Sequence, residues 1–434
     1  MNPVTVGIIG IAILLLFFLL GMPIAFSMAF VGFAGFAYLA GFFPALSLLA
    51  QDIFGEFTSY PLSVIPMFIL MGTFAFASGI SQRLYQTTYA WIGHRRGGLT
   101  VATVLACAGF AAICGSTAAT AATMGKIALP EMKKYGYDDR LATGTVAAAG
   151  TLGILIPPST ILIVYGILTE ESIGKLFIAG VVPGVLLSLA FVATVVLLCL
   201  RNPALGPPGV PVSWRKRFGA TLGIFEAVIL FLLTIGGLFM GWFSPTQAGA
   251  IGAGGALLIG LGRRQLNWKK FIEAGKDGLR TACMVIFIIT GAVIFGHFLA
   301  VTTIPFLLAE TVGNLPIPPM AVMAVIIFIY FIGGFFMDSM ALVVVTIPIF
   351  FPVVMELGFD PIWFGVIIVL VAEMGVITPP VGVNVFVIKG IAPDIPLHII
   401  FRGILPFLAA LIIVTMLLVI FPQIATYLPS LVST

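Results

Sequence analysis

Two proline pairs inside apolar stretches are the parts of this sequence whose type and spacing could do chemistry. Pro157-Pro158 and Pro379-Pro380 remove backbone donors and break any helix that contains them, and each pair follows a glycine four residues earlier. The freed carbonyl groups can bind a cation such as Na⁺, and the positive N-terminal ends of the half-helices can bind an anion. We therefore expect two broken helices that form binding sites, with a simple kink as the alternative at each pair.

Acidic and basic residues inside apolar stretches are the second group of candidates. Asp338 lies in Gly-Gly-Phe-Phe-Met-Asp-Ser (333–339). A carboxylate at membrane depth is costly and marks a functional site, so cation coordination is expected, with a solvated interfacial position as the alternative. Glu373 is expected to pair with another group or to reach a cavity, and Glu226 to lie at the interface or in the interior. Lys126 is expected to extend to the cytoplasmic face.

The elements that hold these residues must be membrane helices. Of 434 residues, 61% are hydrophobic and 8% are charged, whereas about a quarter are charged in an ordinary soluble domain. Many segments contain the roughly 20 apolar residues that a spanning helix needs. The first, 4–20, leads through Gly-Met-Pro into another apolar stretch and is expected to be a helix of the mature protein, not a cleaved signal. The composition predicts an all-α polytopic protein of the lipid bilayer.

The positions of the basic residues predict the topology. Lysine and arginine cluster in four loops that the positive-inside rule places in the cytoplasm: 83–96, 133–140, 201–217 and 263–280. The segment 97–130, between two of them, is too short for two crossings, so it is expected to be a re-entrant hairpin. Neither lysine nor arginine occurs between Arg280 and Lys389, so loops there are expected outside. The pattern predicts about ten crossings and two hairpins, with both termini outside.

The chain also matches itself at a nearly constant offset. Equivalent pairs include Gly115 with Gly334, Asp138 with Asp360, and Pro157-Pro158 with Pro379-Pro380. Basic residues flank the first matched loop and only acidic residues the second, so the two copies are expected to have opposite orientations. Inverted repeats with interrupted helices build many secondary transporters. The predicted organisation is a first repeat 1–200 with an inner hairpin near 98–130, a cytoplasmic linker 201–217, and a second repeat 218–434 with an outer hairpin near 319–355.

Several function classes find no support. The three histidines are scattered, with no His-Glu-x-x-His, and no phosphate-binding loop sequence is present, so neither metalloprotease chemistry nor ATP hydrolysis is indicated. The four cysteines lack a Cys-x-x-Cys pair, and we interpret them as packing residues. The basic residues lie in short loops between apolar segments, which indicates topology and not nucleic-acid binding.

A few segments are more specific than the overall pattern: Cys114-Gly-Ser-Thr-Ala-Ala-Thr-Ala-Ala-Thr, Pro130-Glu-Met, Gly153-Ile-Leu-Ile-Pro-Pro-Ser159, Leu176-Phe-Ile-Ala-Gly-Val-Val-Pro-Gly184 and Gly241-Trp-Phe-Ser-Pro-Thr-Gln-Ala248. Through them the chain resembles, over nearly its whole length, the large membrane subunit of tripartite ATP-independent periplasmic (TRAP) transporters. One departure is Gln247, where that family commonly has Glu.

The resemblance implies a sodium-coupled importer of organic anions in the bacterial inner membrane that works by an elevator movement. It also implies two partners, a small membrane subunit and a periplasmic substrate-binding protein. One sodium ion is expected near Gly115, Ser116, Thr117, Gly153 and Pro157, and another near Gly334, Asp338 and Thr378. The residues expected to face the substrate are Ser116, Ser159 and Asn384.

Two other functions stay open at this point. A channel is the first, because re-entrant hairpins also build pores. An intramembrane hydrolase with Ser116 as nucleophile is the second, although no histidine or lysine base lies at a recognisable spacing. No motif in the sequence indicates which organic anion is the substrate: a dicarboxylate, a sugar acid or a sulfonate.

Overall fold

The computed structural model describes residues 1–431, which form helices joined by short turns. The helices of the first half are α1 (Pro3–Leu19), α2 (Ile24–Ala40), α3 (Phe42–Thr58), α4 (Val64–Ala77), α5 (Ile80–Ile92), α6 (Gly98–Cys114), α7 (Thr117–Lys134), α8 (Asp139–Gly150), α9 (Leu152–Leu155), α10 (Thr160–Thr169) and α11 (Ile173–Arg201). Those of the second half are α12 (Trp214–Phe231), α13 (Gly237–Phe239), α14 (Pro245–Gly262), α15 (Trp268–Thr302), α16 (Ile304–Gly313), α17 (Pro319–Gly333), α18 (Ser339–Glu356), α19 (Pro361–Ile377), α20 (Val383–Ile391), α21 (Leu397–Ile420) and α22 (Gln423–Leu431).

The prediction of an all-α polytopic membrane protein is confirmed. Within residues 1–431, six helical stretches are long and apolar enough to cross a bilayer: Asp139–Thr169, Ile173–Arg201, Trp214–Phe239, Trp268–Thr302, Ser339–Glu356 and Leu397–Ile420. A bent pair, α3 and Pro61–Ala77, makes a seventh if it is counted as one span. Helices satisfy their own backbone polar groups, which is why an apolar chain folds this way in lipid. About ten crossings, as predicted, would require that some of the shorter apolar helices also cross the membrane.

Two pairs of consecutive helices, α6 with α7 and α17 with α18, are joined by short turns and are called here the first and second hairpin. In the first, only Gly115 and Ser116 separate α6 from α7. Gly115 makes this turn with a φ of +64°, a left-handed conformation that favours glycine. In the second hairpin, the segment 334–338 joins α17 to α18, and Asp338 caps α18 by accepting a hydrogen bond from the backbone N–H of Met340 at 3.0 Å. That these hairpins are re-entrant, and that the two repeats are inverted, stay predictions.

Both proline pairs interrupt their helices. The first series, α8 to α10, is broken between Leu155 and Thr160, and α19 and α20 are separated by residues 378–382. Both Pro-Pro peptide bonds are cis. The flanking half-helices stay packed in the interior, with Ile154 and Ile377 both buried. The first break is largely buried, whereas Pro379, Pro380 and Val381 of the second break are exposed.

The helices around these breaks form two neighbouring groups. On one side, α15 packs along α2 and α4, and α14 packs on α4. On the other side, α7 packs on α8 and α20, α21 packs on α8, and α18 packs on α19. The two groups meet where α4 contacts α6 and α10, and where α15 contacts α18. The hairpins and broken helices thus face α4 and α15 across one boundary.

Glu226 is partly buried between two arginines. Arg83 donates to one of its oxygens at 2.7 Å, and Arg263 donates to the other. Only 15% of the Glu226 side chain is exposed. The residue therefore joins α5, α12 and the end of α14 and lies away from the hairpin tips.

Candidate functional site

A cavity of about 430 Å³ lies between the hairpin tips, the broken helices and the α4–α15 side. One face of α15 contributes side chains at helical spacing, namely Thr281, Met284, Val285 and Ile288. Helix α4 contributes Ile69, Gly72, Thr73 and Phe76. The remaining walls come from both hairpins and from both broken helices. A volume of this size is in the usual range for small-molecule sites.

Four helices begin at this cavity. The first residues of α7, α10 and α20, which are Thr117, Thr160 and Val383, line it, as does Met340, the second residue of α18. The first N–H groups of a helix have no partner within the helix, and the macrodipole places a partial positive charge there. Four such ends around one space favour an anion.

Glu373 connects the two hairpin tips. The carboxylate is 1% exposed and lines the cavity from α19. Thr117, at the start of α7, donates its hydroxyl to Oε2 at 2.9 Å, and Ser339, at the start of α18, donates to Oε1 at 3.0 Å. Among residues 1–431, no lysine, arginine or histidine is close enough to pair with Glu373. Its two oxygens are therefore each bound by a hydroxyl group, one from each hairpin.

The residues predicted for the first sodium ion come together in the structure. A Cβ atom on Gly153 would lie 2.5 Å from the Ser116 carbonyl oxygen, and one on Gly115 would lie 2.7 Å from the Pro158 carbonyl oxygen. Pro157 is buried beside them, and Ser116 and Thr117 line the cavity. The tip of the first hairpin therefore packs directly against the first helix break.

Among the residues predicted for the second ion, Gly334 of the second hairpin packs directly against Gly375 of α19. A Cβ atom on Gly375 would lie 2.3 Å from the Gly334 backbone. Thr378, at the end of α19, donates its hydroxyl to the Met374 carbonyl at 2.5 Å. Asp338 lines the cavity and is exposed; its role in binding a cation stays a prediction.

The three residues predicted to face the substrate differ in their positions. Ser116 and Asn384 line the cavity. Asn384 donates its amide to the Ala147 carbonyl at 3.0 Å, while its buried Oδ1 has no hydrogen-bond partner in the described part of the chain. Ser159 is fully buried, does not line the cavity, and accepts a hydrogen bond from Leu162 N–H at 3.2 Å as the cap of α10. Its hydroxyl is thus used within the helix.

Lys126 also lines the cavity, together with Ala119, Ala122 and Thr123 of the same helix. That Lys126 extends to the cytoplasmic face stays a prediction. The spacing of these four residues places them on one face of α7, which is the signal in the sequence that they share a surface. Ser339 and Thr160 were missed in the sequence analysis, because a single hydroxyl beside an apolar segment carries little information.

The described residues do not form a site for a transition metal or a nucleophile with its base. No group of three His, Cys, Asp or Glu side chains comes together within residues 1–431. A cation in the cavity would have to use carbonyl and hydroxyl oxygens, as Na⁺ does at interrupted helices. Ser116 caps α7, with its hydroxyl accepting from Ala119 N–H at 3.4 Å, and the residues that line the cavity include no histidine.

Comparisons with known proteins relate this chain to one family of membrane transporters. The family model described as "Tripartite ATP-independent periplasmic transporter, DctM component" matches residues 11–424. The C4-dicarboxylate TRAP transporter large permease protein DctM of Pseudomonas aeruginosa is 40% identical over 88% of this chain and 87% of that protein. The sialic acid TRAP transporter large permease protein SiaM of Vibrio cholerae is 32% identical over 95% of both chains.

Two solved transporters share the fold at low sequence identity. The YdaH transporter of Alcanivorax borkumensis superposes with a TM-score of 0.64 at 17% identity and covers 88% of this chain and 89% of its own. MtrF of Neisseria gonorrhoeae superposes with a TM-score of 0.57 at 15% identity, and the match covers 96% of this chain and 94% of MtrF. These similarities describe the arrangement of helices only.

Proposed function

Because this chain belongs to the DctM component family of tripartite ATP-independent periplasmic transporters, we propose that it is a sodium-coupled carrier that takes up a small organic anion. Membership makes it an integral protein of the inner membrane and a transporter, not an enzyme. The observation that carries the proposal is the cavity between the two hairpin tips, at which four helices begin.

The cavity supports an anionic substrate. Each helix start contributes a partial positive charge of about half an elementary charge, and low-polarity walls such as Phe110 and Ile161 strengthen its effect. The printed names of relatives include C4-dicarboxylate, sialic acid and isethionate transporters. A small organic acid that fits into the cavity of about 430 Å³ agrees with the helix starts around it and with the names of the relatives.

Sodium is the proposed coupling ion, bound at the two contacts between a hairpin tip and a helix break. The first ion would use Gly115, Ser116, Thr117, Gly153 and Pro157, and the second Gly334, Asp338 and Thr378. Interrupted helices supply backbone carbonyls without hydrogen-bond partners, which are the ligands that secondary transporters use for Na⁺. With sodium at both places, the acidic side chains of Asp338 and Glu373 would no longer repel an anion.

Movement of the hairpins and broken helices as one body is the proposed mechanism of transport. Glu373 joins the two tips, and the opposite wall of the cavity belongs to α4 and α15. A body that slides along this wall would carry the cavity from one side of the membrane to the other, which is an elevator movement. The predicted inversion of the two repeats would give the body two equivalent end positions.

Two partners complete the proposal, a periplasmic substrate-binding protein and a small membrane subunit. A relative from Oleidesulfovibrio alaskensis, named isethionate TRAP transporter permease protein DctMQ, matches 96% of this chain, which covers only 64% of that relative. The additional length and the printed name agree with a second subunit in one chain. Exposed aromatic residues on α3, namely Phe42, Phe43 and Phe54, offer such a subunit or lipid an apolar surface.

Uptake by the complete complex in lipid vesicles tests the function. The complex is reconstituted with its binding protein and given labelled succinate, N-acetylneuraminate or isethionate, with and without an inward sodium gradient. We expect saturable, sodium-dependent uptake of one anion that also requires the binding protein. Uptake that rises linearly with concentration and ignores the sodium gradient would favour a channel and contradict the carrier.

A further inference from the structure

We propose that Lys126 is a specificity-determining residue that binds an acidic group of the substrate at the open side of the cavity. This inference rests on the proposed function and names the residue that recognises the anion's charge. It concerns a side chain that lies nine residues along α7 from Thr117 and is not among those expected to bind sodium.

Lys126 is the only lysine, arginine or histidine among the residues that line the cavity. The acidic side chains there are those of Asp338 and Glu373, so the cavity without Lys126 would have no basic side chain. Lys126 is exposed, and it forms no ion pair with another residue of the described chain. Its ammonium group is therefore free to pair with a ligand.

The face of α7 in front of Lys126 consists of small side chains. Ala119, Ala122, Thr123 and Lys126 follow one another at spacings of three, one and three residues, which places them on one helix face. Long side chains on a helix lean toward its N-terminus, so Lys126 can reach past the two alanines toward the hairpin tip. Larger residues at these positions would fill the space that a ligand of Lys126 needs.

The distance along α7 defines which solutes can use this lysine. Thr117 and Lys126 are nine residues apart, which corresponds to roughly 14 Å along the helix axis. Because the lysine side chain is long, its ammonium group can lie closer to the start of α7 than this distance. A small anion can therefore contact the helix starts with one end and the ammonium group with the other. An ammonium group offers three donors and no acceptor, so it selects a carboxylate or sulfonate over an amide or an amine.

Neighbouring lysines on the same helix behave differently. Lys133 pairs with Asp394 at 2.8 Å, on the surface. Lys134 is exposed and lies 5.8 Å from the centre of the Tyr135 ring. Neither lines the cavity. Lys134 is therefore a matched control for the loss of one positive charge from α7.

Direct binding to the purified membrane complex tests the proposal without the binding protein. The half-saturating concentration of succinate, N-acetylneuraminate and isethionate is measured, in the presence of sodium, from the stabilisation of the complex against heat. For the anion that wild type binds most tightly, we expect Lys126→Met to raise this concentration about ten-fold or more. Lys134→Met should leave it within about two-fold of wild type.

Charge recognition is separated from a structural role by two further measurements. Lys126→Arg should recover most of the lost affinity because it restores the positive charge. The neutral amide of the same anion should bind wild type and Lys126→Met equally weakly. A Lys126→Met variant that binds the anion like wild type, or that loses the anion and its amide to the same degree, would overturn the inference while leaving the proposed function in place. If wild type neither binds nor takes up any of the three anions, the proposed function fails and the inference fails with it.

Discussion

The hydroxyl of Thr117 donates a hydrogen bond to the carboxylate of Glu373 at 2.9 Å, across 256 residues of sequence. Thr117 begins the second helix of the first hairpin, and Glu373 lies two residues before the glycine that packs on the second hairpin. Ser339 completes the link from the other side at 3.0 Å. One buried carboxylate therefore holds together parts of both predicted repeats, beside the cavity.

We predict that weakening this link impairs transport more than it impairs folding. Thr117→Val leaves an oxygen of a buried carboxyl group without its hydrogen-bond donor, which costs about 1–3 kcal/mol, so uptake should fall at least several-fold. Thr145→Val is the matched control, because Thr145 is buried on α8 and its hydroxyl donates only to the Leu141 carbonyl within the helix. Initial uptake rates and melting temperatures of both variants provide the comparison. Equal rates in the two variants would show that the Thr117–Glu373 bond has no special part in transport.

Glycine at the second tip contact should be indispensable. A methyl group on Gly375 would lie 2.3 Å from the Gly334 backbone, so Gly375→Ala must push the hairpin tip away from the break, at a cost of about 1–3 kcal/mol. We expect this variant to lose sodium-dependent uptake. Gly254→Ala is the control, because nothing lies within 4 Å of a Cβ atom there and alanine favours the helix. Wild-type uptake by Gly375→Ala, measured in vesicles, would contradict the close packing.

Asp338→Asn separates the charge of this residue from its capping role. Asparagine caps a helix as well as aspartate does, so the turn before α18 should persist. If the carboxylate binds sodium, the variant should need a much higher sodium concentration for half-maximal uptake, or should not transport at all. The sodium dependence of initial rates is the measurement. An unchanged sodium dependence would leave Asp338 with the capping role alone and would place the second ion elsewhere.

The predicted inversion can be tested by labelling single cysteines from either side of the membrane. Lys133 and Glu356 are exposed residues near the ends of α7 and α18, at comparable places in the two hairpins. Lys133→Cys should react with a membrane-impermeant reagent only from the cytoplasm, and Glu356→Cys only from the periplasm. Of the four native cysteines, three are buried, and Cys283 can be replaced to lower the background. Reaction of both positions from the same side would refute the inversion.

Local rules explain which features could be predicted from the sequence. Pro157-Pro158 and Pro379-Pro380 break helices through their own covalent structure, and Gly115 makes a turn that other residues disfavour, so these features need no knowledge of distant contacts. The Thr117–Glu373 bond depends on how two remote segments pack. The sequence marks each residue as a candidate, but it does not identify one as the partner of the other. Ser159 shows the converse problem: a hydroxyl after a helix break can bind a ligand or cap the next helix, and here it caps.

Simultaneous measurement of sodium and anion fluxes tests the central claim most directly. Labelled sodium and the labelled anion are followed together in vesicles that contain the complete complex, its binding protein and an inward sodium gradient. The account predicts that both enter together, that the anion accumulates above its outside concentration, and that a sodium ionophore abolishes this accumulation. Accumulation of the anion without sodium entry, or in the presence of the ionophore, would contradict a sodium-coupled carrier.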